Sequence, residues 1–125
     1  MYQLCLQRDF RAQHYLIGGD WGPENDVHGH DYRIELRLSG ESLDEHEYLV
    51  DLVEVERHLD AEVDKYRGRV LNDLEPFSDR NPSLELFARI MSQALAERIA
   101  APQIREIEVR LWENEQAWAS YSMEI

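Results

Sequence analysis

The sequence predicts an α+β fold of order β-β-α-α-β-β, in which two helices cover one face of an antiparallel four-stranded sheet. Three observations support this prediction. Apolar and polar residues alternate in two segments near the N-terminus, two central segments repeat apolar residues every three or four positions, and alternation returns in two C-terminal segments. Helices grouped between pairs of strands in this way are typical of a sheet with its helices on one face.

Two long strands are predicted at 2–14 and 28–38. The first has on its apolar side Tyr2, Leu4, Leu6, Phe10, Ala12 and His14, with Arg8 as the exception. The second has on its apolar side Tyr32, Ile34, Leu36 and Leu38, and on the other Arg33, Glu35 and Arg37. A period of two is that of a half-buried strand. A loop rich in Gly, Pro, Asn and Asp, "GGDWGPEND", separates the two strands.

Two helices are predicted, one starting at Asp51 and one running from about residue 83 to residue 100. Their apolar stripes are Leu52, Val55, Leu59, Val63 and Tyr66 in the first, and Leu84, Phe87, Ala88, Met91, Leu95 and Ile99 in the second. Asp51 and Glu54 form a predicted capping box at the start of the first helix. Pro102 lies just past the predicted end of the second.

Two final strands are predicted at 104–112 and 117–125. Because 125 residues with 43% hydrophobic content suffice for one core, we expect a single domain spanning 1–125. The formal net charge of -13 argues against binding to nucleic acid or to a membrane of anionic lipid, because like charges repel. No apolar run approaches a membrane span, and the only cysteine, Cys5, has no partner for an intrachain disulfide. We therefore expect a cytoplasmic protein.

The segment "DVHGHDY" at 26–32 carries the first candidate site. His28 and His30 have the parity of the apolar residues that follow them, so both project from the apolar face if the strand is regular. His14 has the matching parity and lies at the same end if the two strands pair as an antiparallel hairpin. Three imidazoles would then converge, and catalytic zinc often has three protein ligands and an open fourth position. The alternatives are hydrogen-bonded core histidines, a chance occurrence in a turn, or a β-bulge that breaks the parity.

Glu113 is the second candidate, since it continues the apolar parity at the end of the third predicted strand. A carboxylate there is costly unless it meets a cation or several hydrogen-bond donors. The alternative is that Glu113 has already left the sheet and is solvated within "ENEQ". His46, in a charged turn, and His58, on a helix face, are expected at the surface.

Six short motifs follow one another along nearly the whole chain. They are "FRAQH" at 10–14, "HGHDY" at 28–32, "LVDLVEV" at 49–55, "PSLE" at 82–85, "EVRLWE" at 108–113 and Tyr121. Together and in this order they resemble the 6-pyruvoyltetrahydropterin synthase and 6-carboxytetrahydropterin synthase family. Each motif alone is weak, but six in the right order are specific.

The resemblance implies a tunnelling fold, whose subunits trimerise into a twelve-stranded β-barrel and stack as a dimer of trimers into a hexamer with sites at subunit interfaces. It also implies Zn2+ held by His14, His28 and His30, and a pterin whose amino-pyrimidinone edge pairs with Glu113. A carboxylate can accept two parallel hydrogen bonds, which fixes the orientation of a ring. Zinc can acidify the side-chain oxygens of a substrate and promote proton shifts or carbon–carbon cleavage.

The sequence departs from the family at the catalytic positions. The family has a cysteine four or more residues before its His-Gly-His, whereas this chain has Glu24 four residues before His28. Arg67 and Gly68 stand where the family has an aspartate and a histidine that assist proton transfer. Glu24 is therefore the candidate general base, as in family members associated with pterin side-chain cleavage, and Asp26 is a weaker substitute. The alternative for Glu24 is an ordinary loop acid in a chain with 26 acidic residues.

Three functions are open from the sequence. The first is a zinc-dependent pterin lyase, acting on dihydroneopterin triphosphate or a related pterin in queuosine or folate biosynthesis, with altered catalytic residues. The second is a non-catalytic zinc- and pterin-binding paralogue that serves as a sensor or assembly module. The third is a metal-free structural paralogue. The binding residues favour the first two, and the altered catalytic positions leave them unresolved.

Overall fold

A computed structural model describes residues 1–99 and 101–125 and confirms the predicted order of elements. The strands and helices are β1 (Tyr2–His14), β2 (His28–Gly40), α1 (Leu52–Asp64), α2 (Leu84–Arg98), β3 (Glu106–Trp112) and β4 (Trp118–Glu124). Short 3-10 helices lie at Gly22–Asn25, Leu71–Asp73 and Glu75–Phe77. The predicted bounds hold within two residues, and the first helix, for which the sequence predicted only the start, ends at Asp64.

The four strands form one antiparallel sheet in the order β1-β2-β3-β4. β1 and β2 pair over their full length, from Tyr2 opposite Gly40 to His14 opposite His28, in an unbroken register. The apolar parity points to the helices and forms the core together with α1 and α2. The most buried core residues of the sheet are Ala12, Tyr32, Ile34, Leu36, Leu38, Ile107, Val109 and Leu111. Because no bulge interrupts the pairing of β1 with β2, side chains alternate regularly between the two faces as far as the end of the sheet that carries the histidines.

Arg8, the polar exception in the apolar series of β1, is explained by the position of α1. Its guanidinium bonds to Asp60 at 2.7 Å and to Glu56 at 3.0 Å, both on that helix. The residue therefore faces the helices as its parity predicts, but at the rim of the core where carboxylates are available. On the opposite face of the sheet, Glu35 is buried among Gln7 and Arg37, which bond to its carboxylate.

Both helices begin at side-chain caps. The Asp51 carboxylate accepts hydrogen bonds from the backbone N–H groups of Val53 and Glu54, and Ser83 caps α2. The predicted capping box is only half formed, because the Glu54 carboxylate bonds to Arg57 at 2.9 Å on the solvent side. The predicted end of the second helix near residue 100 is too late. α2 ends at Arg98, and Ala100 lies outside the described residues.

An aromatic cluster centred on Phe87 joins α2 to the sheet. Ring centroids 5.1 to 6.0 Å from that of Phe87 belong to Phe10, Tyr32, Tyr66 and Phe77. All four pairs are edge-on, a geometry worth about 0.5–1.5 kcal/mol per pair beyond area burial. This cluster packs directly behind the candidate site, because the hydroxyl of Tyr32 also bonds to Nδ1 of His14.

A buried carboxylate on α1, that of Glu62, forms an ion pair that joins the two helices. The Glu62 carboxylate, 3% exposed, accepts from Arg98 of α2 at 2.5 Å and from Lys65 at 3.0 Å. Lys65 is the only lysine of the chain. Over the described residues, neither helix is long and apolar enough to span a membrane.

Candidate metal and ligand site

Three histidines meet at one end of the hairpin formed by β1 and β2. His14 lies directly opposite His28, and His30 lies opposite Ala12, so the small side chain of Ala12 leaves room for the third imidazole. Adjacent same-face positions of an antiparallel pair bring Cβ atoms to about 4.5–5.5 Å. The parity and the antiparallel pairing expected from the sequence are therefore both present, and they bring the three side chains together.

The geometry of this cluster is that of a possible metal site. One nitrogen from each ring lies within 4.8 Å of the others, and the ring centroids are 4.6, 4.8 and 5.1 Å apart. His14 is buried, whereas His28 and His30 are half-buried. Imidazole nitrogens bind zinc at about 2.0–2.1 Å, so small rotations of these rings suffice to close on one ion.

The orientation of His28 fits a metal ligand. Its Nδ1 lies 2.9 Å from the backbone carbonyl oxygen of Asp26, an acceptor that requires Nδ1 to carry the proton. In the neutral tautomer that carries this proton, Nε2 is the free acceptor nitrogen, and it is buried with no hydrogen-bond partner among the described residues. A carbonyl that fixes the tautomer and leaves the other nitrogen free is the usual arrangement around a ligating histidine.

His14 is held by Tyr32, a buried neighbour that the sequence argument did not assign to the site. The Tyr32 hydroxyl lies 3.1 Å from Nδ1 of His14. The pKa of His14 is lowered to about 4, mainly by burial and further by His30 and His28. The ring is therefore neutral near pH 7, which is the form that binds a metal ion.

Glu113 lies next to this cluster, at the edge of a cavity of about 950 Å³. The last pair between β2 and β3 is Arg33 with Trp112, so Glu113 follows at the position that faces Tyr32. Burial, with a smaller contribution from the Glu113 carboxylate, raises the pKa of the Tyr32 phenol well above its usual range. Glu113 has left the strand, as the alternative reading held, yet it is half-buried and lines the cavity together with His30.

Two arginines line the same cavity, and each is already paired across the hairpin. Arg33 bonds to Asp9 at 2.8 Å and Arg11 to Asp31 at 3.1 Å, in both cases with the residue directly opposite. All four side chains are more than half exposed, so these pairs contribute little to stability. Within each pair the charges cancel, so the acidic groups of the lining that are unpaired among the described residues are those of Glu113 and Glu115.

Glu24 lies in the segment that connects His14 to His28, residues 15–27, which we call the site loop. It is exposed, in the 3-10 helix Gly22–Asn25, and its backbone carbonyl accepts from the N–H of Leu16 at 2.8 Å. Among the described residues, those that line the large cavity do not include Glu24. Asp26 is also exposed, and its backbone carbonyl rather than its carboxylate contacts His28.

The other histidines and Cys5 lie away from the site. The His46 side chain is 75% exposed, and that of His58 is half-buried on α1 with Nε2 3.7 Å from Glu54. Cys5 is exposed on the face of β1 opposite to the histidines. His58 is thus less exposed than expected. Sequence reasoning did not assign to the site Tyr32, which contacts His14, or Asn72 and Asn81, whose side chains bond to the backbone of Tyr15 and Ile17 in the site loop. Of these, only Tyr32 offered a signal, through its parity.

The fold and the histidine cluster together define an α+β protein with a possible metal site, and a match to a protein-family model identifies its family. Residues 3–124 match the model described as 6-pyruvoyl tetrahydropterin synthase, so the chain belongs to that family. Members of this family are lyases that bind pterins and assemble as oligomers. A comparison with curated proteins gives no match.

Solved structures share the whole fold at low sequence identity. The Plasmodium vivax 6-pyruvoyltetrahydropterin synthase gives a TM-score of 0.82 at 17% identity, over 99% of this chain and 98% of that one. The Caenorhabditis elegans enzyme gives 0.80 at 22% identity, over 98% and 97%. A Burkholderia thailendensis dihydroneopterin aldolase bound to guanine gives 0.52 at 10% identity, over 99% and 89%. The Plasmodium vivax enzyme has also been solved as a catalytic-residue mutant in which a glutamate is replaced by alanine.

Proposed function

We propose that this protein is a zinc-dependent pterin enzyme that acts on dihydroneopterin triphosphate or a related pterin by lyase chemistry. The observation that carries the proposal is the convergence of His14, His28 and His30 beside a cavity that Glu113 also lines. Family membership supports both a pterin as the ligand and a lyase as the class of reaction. What differs from the usual family pattern is the set of acid and base residues.

The three histidines would hold the metal ion through one ring nitrogen each. The free and buried Nε2 of His28 and the neutral state of His14 both support this assignment. Three imidazole ligands would leave a fourth position open, which is the donor set of a catalytic rather than a structural zinc site. When bound, zinc would supply a Lewis acid that polarises the oxygens on the side chain of the substrate.

Glu113 would orient the ring of the pterin. Its carboxylate can accept two parallel hydrogen bonds from the adjacent N–H groups of an amino-pyrimidinone edge. The structurally similar aldolase, which is bound to guanine, supports this role because guanine and pterins share that edge. A ring held at Glu113 would direct its side chain towards His30, since His30 and Glu113 line the same cavity.

Glu24 would serve as the general base in place of the family's cysteine. A carboxylate within reach of the substrate side chain can accept the proton that leaves a carbon atom and return it during a later step. The Plasmodium vivax enzyme, in which a glutamate is named as a catalytic residue, supports the use of a carboxylate for catalysis in this family. Asp26 is the weaker candidate, since it lies just past the short 3-10 helix and contacts His28 through its backbone carbonyl rather than its carboxylate.

A second function is favoured by the position of Glu24 and deserves the same test. Glu24 is exposed and lies outside the lining of the cavity, and Arg67 and Gly68 replace the family's aspartate and histidine. A protein that binds zinc and a pterin without turnover, as a sensor or assembly module, would need the histidines and Glu113 but no base. It would therefore tolerate these replacements.

The deciding experiment is incubation of the zinc-loaded protein with dihydroneopterin triphosphate, with products identified by mass spectrometry. We expect a product whose mass separates the pyruvoyl, carboxy and hydroxymethyl pterins, no product with His14→Ala, and strongly reduced turnover with Glu24→Gln. Glu97→Gln, at an exposed position of α2, is the matched control. Full turnover by Glu24→Gln would exclude Glu24 as the base. Pterin binding without product would favour the second function, and the absence of both would overturn the proposal.

We also propose that the protein is a cytoplasmic homo-oligomer, assembled as a hexamer from two trimers. The order of the sheet supports assembly, because β1 and β4 are edge strands and edge strands are available for pairing with another chain. The single free cysteine supports a reducing compartment. Native mass spectrometry at micromolar concentration tests the assembly, and a monomeric mass would contradict it.

A further inference from the structure

The site loop, residues 15–27, is attached to the rest of the protein by two asparagine side chains. Asn72 bonds to both backbone polar groups of Tyr15, accepting from its N–H at 3.0 Å and donating to its carbonyl at 2.9 Å. Asn81 bonds to Ile17 in the same way, at 2.7 and 3.2 Å. These are contacts between residues more than fifty positions apart, and they begin directly after His14.

The pattern imitates a β-ladder. In an extended chain the backbone groups of successive residues point to opposite sides. Tyr15 and Ile17 therefore face the two asparagines, whereas Leu16, between them, faces the returning part of the loop. There its N–H donates to the carbonyl of Glu24 at 2.8 Å, and its own carbonyl accepts from the side chain of Asn25 at 3.1 Å.

The consequence is that the position of Glu24 depends on the two asparagines. They fix the segment 15–17, and this segment fixes the backbone carbonyl of Glu24 and the side chain of Asn25. The backbone carbonyl of the following residue, Asp26, accepts from Nδ1 of His28. The N-terminal end of the site loop is thereby fixed next to His14, and its C-terminal end next to His28. Gly18 and Gly22, both at positive φ, allow the loop to turn between these ends.

We propose that Asn72 and Asn81 are positioning residues, which keep the site loop in one preformed conformation and so place Glu24 and orient His28. The part that concerns Glu24 rests on the proposed function, whereas the part that concerns His28 rests on the metal site alone. Among the described residues, neither asparagine forms a hydrogen bond with a histidine. Their side chains act on the site only through the backbone of the loop.

The test is amide hydrogen exchange by NMR and Co2+ titration of Asn72→Ala, Asn81→Ala and the double variant. We expect the amides of Leu16 and Asp26, which neither asparagine touches, to exchange about tenfold faster or more in each variant. We expect the affinity for Co2+ to fall by about threefold to tenfold, with a changed visible spectrum because His28 is less well oriented. If the double variant does not fold, the single variants carry the test.

Asp44→Ala is the matched control. The Asp44 side chain also holds a turn by accepting from two backbone N–H groups, those of His46 and Tyr48, at the end of β2 remote from His28. It should lower stability without affecting the exchange of Leu16 or the Co2+ spectrum. Unchanged exchange of Leu16 and Asp26 in the double variant would overturn the proposal. Exchange does not require turnover or metal, so this result is independent of whether the enzyme hypothesis survives.

Discussion

Replacing Tyr32 by phenylalanine is the most selective perturbation of the candidate metal site. The side chain is 1% exposed and packs against Phe10 and Phe87, so the variant keeps its volume and aromatic contacts and loses only the hydroxyl. That hydroxyl is the hydrogen-bond partner of Nδ1 of His14, at 3.1 Å. Its removal leaves the imidazole free to rotate and to change tautomer.

The expected loss of metal affinity follows from the place of the Tyr32 hydroxyl, which would bond to a metal ligand and not to the metal itself. Partners of ligating histidines typically change metal affinity by about 10–100-fold, which corresponds to about 1.4–2.7 kcal/mol. In the metal-free protein the same change leaves one nitrogen of a buried histidine without its partner. We expect this to lower the free energy of unfolding by about 1–2 kcal/mol.

The assay is a zinc titration in competition with a chromophoric chelator, paired with urea unfolding of the metal-free protein. Tyr66→Phe is the control, since Tyr66 is buried in the same aromatic cluster against Phe77 and Phe87. We expect Tyr66→Phe to keep the affinity of the wild type. Equal zinc affinity in Tyr32→Phe and the wild type would refute the idea that Tyr32 supports His14 as a ligand.

Three further predictions concern stability. Phe87→Ala should lower the free energy of unfolding by about 3–5 kcal/mol in urea, because it removes the centre of the aromatic cluster, and Phe87→Leu should cost less than half as much. Arg98→Met should destabilise by about 3 kcal/mol, since it leaves the buried Glu62 carboxylate with Lys65 alone, and adding Glu62→Leu should recover most of the loss. The metal-free protein should lose stability as pH falls from 6.5 towards 4, because His14 takes up a proton in the unfolded chain before the folded one; His14→Gln should flatten that part of the profile.

The fold could be read from the sequence because each element carries its own period. Thirteen residues of β1 keep one apolar face, and the polar Arg8 breaks the pattern without breaking the strand. The errors fall at helix ends. The bonding of Glu54 to Arg57 instead of the cap, and the end of α2 at Arg98, depend on which side chains and solvent surround each terminus.

The convergence of the three histidines could be predicted for the same reason. A period of two fixes the face on which each histidine lies, and antiparallel pairing across one connecting loop fixes which end they share. Glu113 was harder to predict. The alternation of β3 predicts the face of a residue only within the strand, which ends at Trp112. The position of Glu113 beside Tyr32 therefore depends on the path of the chain after β3.

The sequence by itself determined the order of the elements, the buried face of the sheet and the convergence of His14, His28 and His30. These follow from local periodicity, which a single chain displays without reference to distant residues. Only the tertiary structure decided how the site is held, through Tyr32 behind His14 and through Asn72 and Asn81 beneath the site loop. Those contacts join residues 18 to 64 positions apart through one or two hydrogen bonds of one side chain, which have no period and leave no pattern in the sequence.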